Sequence, residues 1–231
     1  MNELTTNRDQ FVARQSRTIS AALGEQRPPS MGQHPETVII CRRAGGVGVD
    51  TLAALFVMSR PDAQLVQVGG AKGPAFRSHA AERRNYLQIL DMQPGAVINA
   101  RFAHPELPTV ILIDQNLLRL VPMLKGMLDQ TSFGERTMIW YVLDEHEQMA
   151  AFAKEWSRTG LPSPKIFRRP VDWFAESSDD AIPMPWLPKG LQDGFYQRYL
   201  PLRSASEEAE PGDAAQFVIA VQAFREQLAN I

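Results

Sequence analysis

The sequence lacks most features that would mark a secreted, membrane-embedded or strongly charged protein. Among its 231 residues there is one cysteine, Cys41, which excludes an internal disulfide framework and is typical of a reducing compartment. The 24 lysines and arginines are nearly balanced by 26 aspartates and glutamates, so any DNA binding would need a local basic patch. No apolar run approaches the roughly 18 residues of a membrane span, and the polar N-terminus has no signal-peptide pattern. We therefore expect a cytoplasmic location.

The chain is long enough for one full α/β domain, and its hydrophobic content of 44% is normal for a globular protein. We assign this domain to residues 36–231. Residues 1–35 are assigned to an N-terminal arm and linker, in which residues 11–23 have the pattern of a short basic amphipathic helix. Residues 24–35 are rich in proline, glycine and polar side chains. The arm is expected either to dock on a partner or to be a partly disordered tail.

One segment combines an apolar run, a glycine-rich turn and an amphipathic helix in the order typical of a phosphate-binding loop. Residues 37–41 predict the strand, residues 52–58 predict the helix, and the sequence RAGGVGVDT lies between them at 43–51. A working loop reads G-x-x-x-x-G-K-[ST]. Its backbone N–H groups surround phosphate, its lysine reaches the outer phosphates and its hydroxyl binds Mg²⁺. Here Val49 replaces the lysine and Asp50 replaces the serine or threonine.

Further strands and helices alternate along the chain. The predicted strands are 63–68, 97–100, 108–114, 137–144 and 165–167. The predicted helices are 82–90, 117–130, a segment ending at Trp156, and 214–230. This alternation predicts an α/β fold with a mostly parallel sheet and helices on both faces. Ligands of such folds bind at the carboxyl ends of the strands, where we expect the glycine turn, residues 69–74, Asp114 and Asp144.

On these motifs the chain resembles the ParA/MinD family of deviant-Walker ATPases, whose loop reads K-G-G-x-G-K-[ST]-T. The residues that match this pattern are Gly45, Gly46, Gly48 and Thr51. The family's two lysines and its magnesium-binding hydroxyl fall on Ala44, Val49 and Asp50, which depart from it. The resemblance covers roughly residues 36–230 and implies a P-loop NTPase-like fold. The short plasmid-borne members linked to conjugation and plasmid stability are the most similar in size and element order.

The resemblance also implies where a nucleotide would bind. The phosphate-binding segment corresponds to Gly45, Gly46, Val47, Gly48, Val49, Asp50 and Thr51. Asp114 corresponds to the Walker B aspartate, and two glycines at 69 and 70 stand where the family has a further acid. Because the Asp50 carboxylate competes for helix N–H groups and repels phosphate, we expect no nucleotide cofactor and no catalysis.

Two alternatives stay open. In the first, the chain is an active ATPase with a rewired site: Asp50 and Asp114 bind Mg²⁺, Arg42, Arg43 or Lys72 replaces the lysine, and the cofactor is Mg-ATP or ADP. In the second, the chain is an α/β docking subunit whose glycine turn is purely structural. The function favoured by the residues is a binding or scaffolding component with a degenerate nucleotide site. The family resemblance places it in plasmid or DNA segregation or in conjugative transfer.

Two segments place apolar residues outside the strand–helix pattern. They are the N-terminal arm and the proline-rich residues 182–188, from Ile182 to Pro188, which include Trp186. We expect a protein partner or self-association through one of them, although residues 182–188 also fit a lid over the core. DNA binding would use basic patches at residues 83–84 or 168–169. The acidic residues 144–147 lack the paired histidines of zinc helices and fit a solvated helix N-terminus.

Overall fold

The computed structural model describes residues 36–43, 48–70, 73–81, 86–90, 93–143, 148–168 and 181–229. Within this part of the chain, seven strands form one sheet. The strands are β1 (Thr37–Arg42), β2 (Gln64–Val68), β3 (Tyr86–Ile89), β4 (Thr109–Ile113), β5 (Thr137–Leu143), β6 (Lys165–Arg168) and β7 (Ile182–Pro183). All neighbouring strands are parallel, in the order β3-β2-β4-β1-β5-β6-β7. β1 is therefore the central strand.

Helices cover both faces of this sheet. They are α1 (Val49–Ser59), α2 (Pro74–Ala81), α3 (Pro94–Ala103), α4 (Leu120–Asp129), α5 (Met149–Ser157), α6 (Lys189–Gln192), α7 (Leu202–Glu208) and α8 (Pro211–Ala229). A π-helix, Asp193–Gln197, continues α6. The predicted fold class, α/β with a parallel sheet and helices on both faces, is confirmed. The assignment of residues 36–231 to a single domain stays a prediction, and the arm lies outside the described residues.

The central strands separate two apolar cores. Along β1, Val38 and Ile40 point into a core formed with α1, α6, α7 and α8. Ile39 and Cys41 point to the other face, into a core formed with α3, α4 and α5. Side chains of a strand alternate between its faces, so a continuous apolar run is what a strand covered on both sides requires. The apolar run at residues 37–41 therefore matches the position of β1, which is buried on both faces.

The strand predicted at 97–100 is wrong, because these residues lie inside α3. Pro94 occupies the first turn of that helix, where its missing N–H costs no hydrogen bond. Val97, Ile98 and Arg101 are buried, at a spacing that places them on one face of the helix. The short β-branched pair suggested a strand, whereas the proline start and this spacing decide for a helix.

The helix predicted at 82–90 is also wrong. Residues Tyr86–Ile89 form β3, which pairs in parallel with β2 and is the last strand at its side of the sheet. The helix of this region is α2, Pro74–Ala81, which ends before β3 begins. Tyr86 and Leu87 keep 46% and 41% of their surface exposed, consistent with a strand at the edge of the sheet among the described residues.

Residues 182–188 belong mostly to the core. Ile182 pairs with Phe167 of β6, and the backbone N–H of Met184 donates to the carbonyl of Arg168 over 2.9 Å. Met184 and Leu187 are buried, while Trp186 is half-buried. The premise that this segment lies outside the strand–helix framework is therefore wrong, although partner docking on it stays a prediction.

Candidate nucleotide site

The glycine turn leads from the central strand β1 into α1. Gly45, Gly46 and Val47 lie outside the described residues, and the description resumes at Gly48. Gly48 caps α1 with a left-handed backbone, φ 92° and ψ 14°, a conformation that favours glycine. Its carbonyl accepts the N–H of Leu52 over 3.0 Å, which closes the first helical turn. Val49, Asp50 and Thr51 therefore form the start of α1, which begins three residues before the helix predicted at 52–58.

Val49 stands where a working loop has its lysine. Its side chain is buried in the core between α1 and the sheet, with 6% exposure. Because it is apolar and faces inwards, it offers no charge to a phosphate.

Asp50 is bonded to the protein itself. Its Oδ1 accepts the backbone N–H of Ala75 over 3.2 Å. Ala75 lies in the first turn of α2, where N–H groups have no partner within the helix, so Asp50 acts as a cap supplied by another helix. Burial raises the pKa of Asp50, and this effect is opposed by the Ala75 hydrogen bond and by the positive charge of Arg42.

Gly73 allows this contact. A Cβ added at residue 73 would lie 2.0 Å from Oδ1 of Asp50, which is far inside van der Waals contact. The start of α1 and the start of α2 are therefore fitted to each other around one carboxylate. Sequence reasoning missed this pairing, although Gly73-Pro74 is a typical helix start and signals where α2 begins.

Thr51 is also engaged within the protein. Its side chain is 3% exposed, and its hydroxyl is hydrogen-bonded to the hydroxyl of Tyr196 in the π-helix. The two residues are 145 positions apart, so nothing in the local sequence pointed to Tyr196. A hydroxyl that the family resemblance assigns to the nucleotide site is here bonded to a tyrosine.

The space beside Gly48 and Thr51 is small. Met184 fills it from the other side, and a Cβ on Gly48 would lie 3.0 Å from Cε of Met184. The cavity that remains between Gly48, Thr51, Trp186 and Tyr196 measures about 20 Å³. A cavity needs about 10–15 Å³ to hold one water molecule, so this one accommodates about a single water.

Asp114 follows β4, the strand next to β1. Its backbone N–H donates to the carbonyl of Val68 over 3.1 Å, and its carbonyl accepts the N–H of Leu117 over 2.8 Å. Gly69 has φ 119°, and a Cβ there would lie 2.6 Å from Cβ of Asp114. Asp114 thus lies against Gly69, just after β2, and Asp50 lies against Gly73, just before α2.

The basic residues considered as substitutes for the lysine have different positions. Arg42 is the cation whose charge acts on Asp50. Arg43 forms an ion pair with Glu155 of α5, with 2.6 Å between Nη1 and Oε2, so its guanidinium lies towards α5. Lys72 falls outside the described residues.

Two findings concern metals and membranes. In the described part of the chain, no three histidine, cysteine, aspartate or glutamate residues are grouped so that they could hold a metal ion. The acidic residues 144–147 and the basic residues 83, 84 and 169 lie outside that part. Among the helices that the structure describes, none is both long and apolar enough to cross a membrane.

Comparisons with known proteins yield structural similarities only. No protein-family model matches the chain, and no curated protein sequence matches it. Seventeen solved chains are similar in structure. One is the signal recognition particle receptor FtsY from Elizabethkingia anophelis in complex with GDP, at 13% identity and a TM-score of 0.44, with coverage of 74% of this chain and 63% of that one. Another is FlhF complexed with GMPPNP and Mg²⁺, at 15% identity and a TM-score of 0.40, with coverage of 71% and 65%. The chain thus spans less than two thirds of either protein, and the ParA/MinD resemblance rests on the sequence motif.

Proposed function

We propose that this chain is a P-loop NTPase-like protein with a degenerate nucleotide site, which acts by binding rather than by hydrolysis. Its role would be that of a scaffolding component in plasmid or DNA segregation or in conjugative transfer, as the ParA/MinD resemblance implies. The observation that carries the proposal is that Asp50 and Thr51, the two polar side chains at the start of α1, are both bonded to the protein itself.

The arrangement of elements supports the P-loop part of the proposal. A central parallel strand, a glycine-rich turn and a helix follow one another at β1 and α1. The neighbouring strand β4 leads into Asp114, at the position of a Walker B aspartate. Both features lie at the carboxyl edge of the sheet, where α/β proteins bind their ligands.

The chemistry of the same residues supports degeneracy. Phosphoryl transfer depends on a lysine and a magnesium ion that neutralise charge on the phosphates. Here Val49 is buried and apolar, and the carboxylate of Asp50 stands at the helix N-terminus. Two like charges about 4 Å apart at an effective dielectric of about 20 repel by roughly 4 kcal/mol, which corresponds to about a thousandfold in affinity. The described residues therefore do not fit a magnesium nucleotide.

The test is calorimetric titration of the full chain with ATP, ADP and GTP in the presence of Mg²⁺. We expect dissociation constants above about 100 µM, on the charge argument just given. A micromolar affinity for any of these nucleotides contradicts the proposal.

The rewired ATPase is the second candidate, because Asp114 lies against Gly69 and Asp50 against Gly73, the described residues that follow β2 and precede α2. Carboxylate oxygens are ligands that a hard cation accepts. If this candidate is correct, the chain hydrolyses ATP only with Mg²⁺, and Asp114→Asn abolishes the activity. Asp62→Asn, which changes an exposed carboxylate before β2, should leave it intact.

A protein partner or self-association belongs to the same proposal. The arm, residues 1–35, and Trp186 are the places where it would engage. Trp186 is half-buried, and its type is enriched at interface hot spots. A DNA partner would bind at the basic residues 83–84 or 168–169.

A further inference from the structure

A cavity of about 360 Å³ lies between α4 and α5, on the face of the sheet opposite to α1. Pockets for small molecules measure about 300–1,000 Å³, whereas an apolar cavity of about 150 Å³ already binds benzene. Its lining includes Arg43 but none of Asp50, Thr51 and Asp114. Its size is in the range of small-molecule pockets.

Three aromatic rings line one side of this cavity. Tyr141 of β5 packs against Phe152 of α5 with ring centroids 4.3 Å apart, and Trp156 lies 5.5 Å from Phe152 and 5.8 Å from Tyr141. The indole N–H of Trp156 donates to the carbonyl of Pro162 over 3.0 Å, which fixes the orientation of that ring. All three rings are more than nine-tenths buried. The surface that they leave open to the cavity is apolar and is held in place by this packing.

Aliphatic side chains complete the wall. Val121 and Pro122 line the cavity from the first turn of α4, and Leu118 lines it from just before that helix. Leu161 lines it from the segment after α5. Water in such a space finds few hydrogen-bond partners, so an apolar group that displaces it is favoured.

The rim carries the charges. Arg43, Arg119 and Glu155 are its three charged residues. Arg43 and Glu155 are paired with each other, whereas Arg119 is exposed and makes no ion pair with another described residue. Within the described residues, the guanidinium of Arg119 thus has no ion-pair partner, and it lies beside an apolar space.

We propose that this cavity binds a small planar apolar molecule that carries one anionic group. The apolar body lies against Tyr141, Phe152 and Trp156, and the anion lies at Arg119. Arg43 lies next to the glycine-rich segment in the sequence. Its ion pair with Glu155 therefore links that segment to α5, which lines the cavity. The inference does not depend on the nucleotide site being degenerate.

The test uses two fluorescent probes on the full chain, anilinonaphthalene sulfonate and the neutral phenylnaphthylamine, which has the same ring system without the sulfonate. Both are expected to bind at one site. Leu161→Trp, which fills the cavity from a partly exposed position, should weaken both at least about tenfold, the loss expected when their buried apolar contacts are removed. Met123→Trp is the matched control, because Met123 is 54% exposed on the same helix α4 and lies outside the cavity.

A second pair of variants tests the charge. Arg119→Ala should weaken the sulfonate probe by about fivefold, the effect of one exposed charge contact, and leave the neutral probe unchanged. Arg158→Ala, at the end of α5 and outside the cavity, should change neither.

Pro122→Trp repeats the filling test from the other wall, should Leu161→Trp fail to fold by circular dichroism. Failure of both probes to bind the wild-type chain overturns the proposal, as does unchanged binding in a folded filling variant. If Arg119→Ala weakens both probes equally, or neither, the anionic part of the ligand is wrong.

Discussion

The carboxylate of Asp50 and the α-carbon of Gly73 are so close that a Cβ at residue 73 would lie 2.0 Å from Oδ1. The start of α1, where a phosphate-binding loop receives its anion, is therefore joined to the start of α2 through an anion of the chain itself. Helix N-termini attract negative charge, and here the carboxylate of Asp50 lies at the N-termini of both α1 and α2. This contact gives the first prediction.

Gly73→Ala is expected to destabilise the protein by about 1–3 kcal/mol, because the new methyl group must displace the Asp50 carboxylate. Gly70→Ala is the matched control: a Cβ at Gly70 meets nothing within 4 Å. The control should change stability by less than about 0.5 kcal/mol. Urea unfolding of both variants measures the difference, and equal stabilities would show that Asp50 does not depend on Gly73.

The stability contributed by Asp50 should depend on pH. Burial raises its pKa in the folded chain above the ordinary 3.8, against the opposing effects of the Ala75 N–H and Arg42. Between the two pKa values the folded chain holds a proton that the unfolded chain has lost. The contribution of this group is therefore greatest below pH 3.8 and falls as the pH rises through the folded pKa.

Asp50→Asn tests this sign, because asparagine carries no charge to desolvate and its oxygen still accepts the Ala75 N–H. At neutral pH the variant should melt at a higher temperature than the wild type, because the wild type keeps a desolvated charge at this position. The difference should disappear in acid. Asp62→Asn, which removes an exposed carboxylate, is the control and should show no such trend; a lower midpoint for Asp50→Asn at neutral pH contradicts the argument.

Val49→Lys combined with Asp50→Ser should raise nucleotide affinity at least about tenfold, because it adds a cation and removes a fixed negative charge. Val49→Lys alone, which keeps the carboxylate, is the control and should gain less. Calorimetry with Mg-ATP measures both. A folded double variant that still does not bind nucleotide would mean that the glycine turn is not a phosphate-binding nest.

Tyr196→Phe should cost about 1–3 kcal/mol, since it leaves the buried hydroxyl of Thr51 without its partner. Tyr199→Phe is the control, because Tyr199 contributes its ring face, over which Arg77 lies at 4.5 Å, and phenylalanine keeps that face. Adding Thr51→Val to Tyr196→Phe should recover part of the loss. If the two single changes simply add, the hydroxyl pair contributes nothing.

Trp186→Ala separates a docking role from a packing role. If this side chain engages a partner or a second copy, the substitution weakens association in sedimentation experiments while the melting temperature changes little. Met184 and Leu187, which are close to Trp186 in the sequence, are buried, so Trp186 could instead contribute to packing of the core. A sharp fall in melting temperature with unchanged association would assign Trp186 to the core and leave the arm as the docking segment.

Much of the sheet was predictable because its central strands are buried on both faces. The continuous apolar runs around β1, β4 and β5 are typical of that environment. Short apolar segments were harder, as residues 97–100 and 86–89 show: over four residues, strand and helix patterns overlap. The start of α3 at Pro94 was a local signal that outweighs the β-branched pair within it.

The sequence by itself determined that glycines stand at 45, 46 and 48 and that the lysine and the hydroxyl are lost at residues 49 and 50, since these depend on residue type alone. Only the tertiary structure decided what the remaining polar groups do. Asp50 bonds Ala75, 25 positions away, and Thr51 bonds Tyr196, 145 positions away. Such pairs depend on which helices the strand order brings to the carboxyl edge of the sheet. A side-chain hydrogen bond needs its partner within about 3 Å, and no local pattern specifies that distance across the chain.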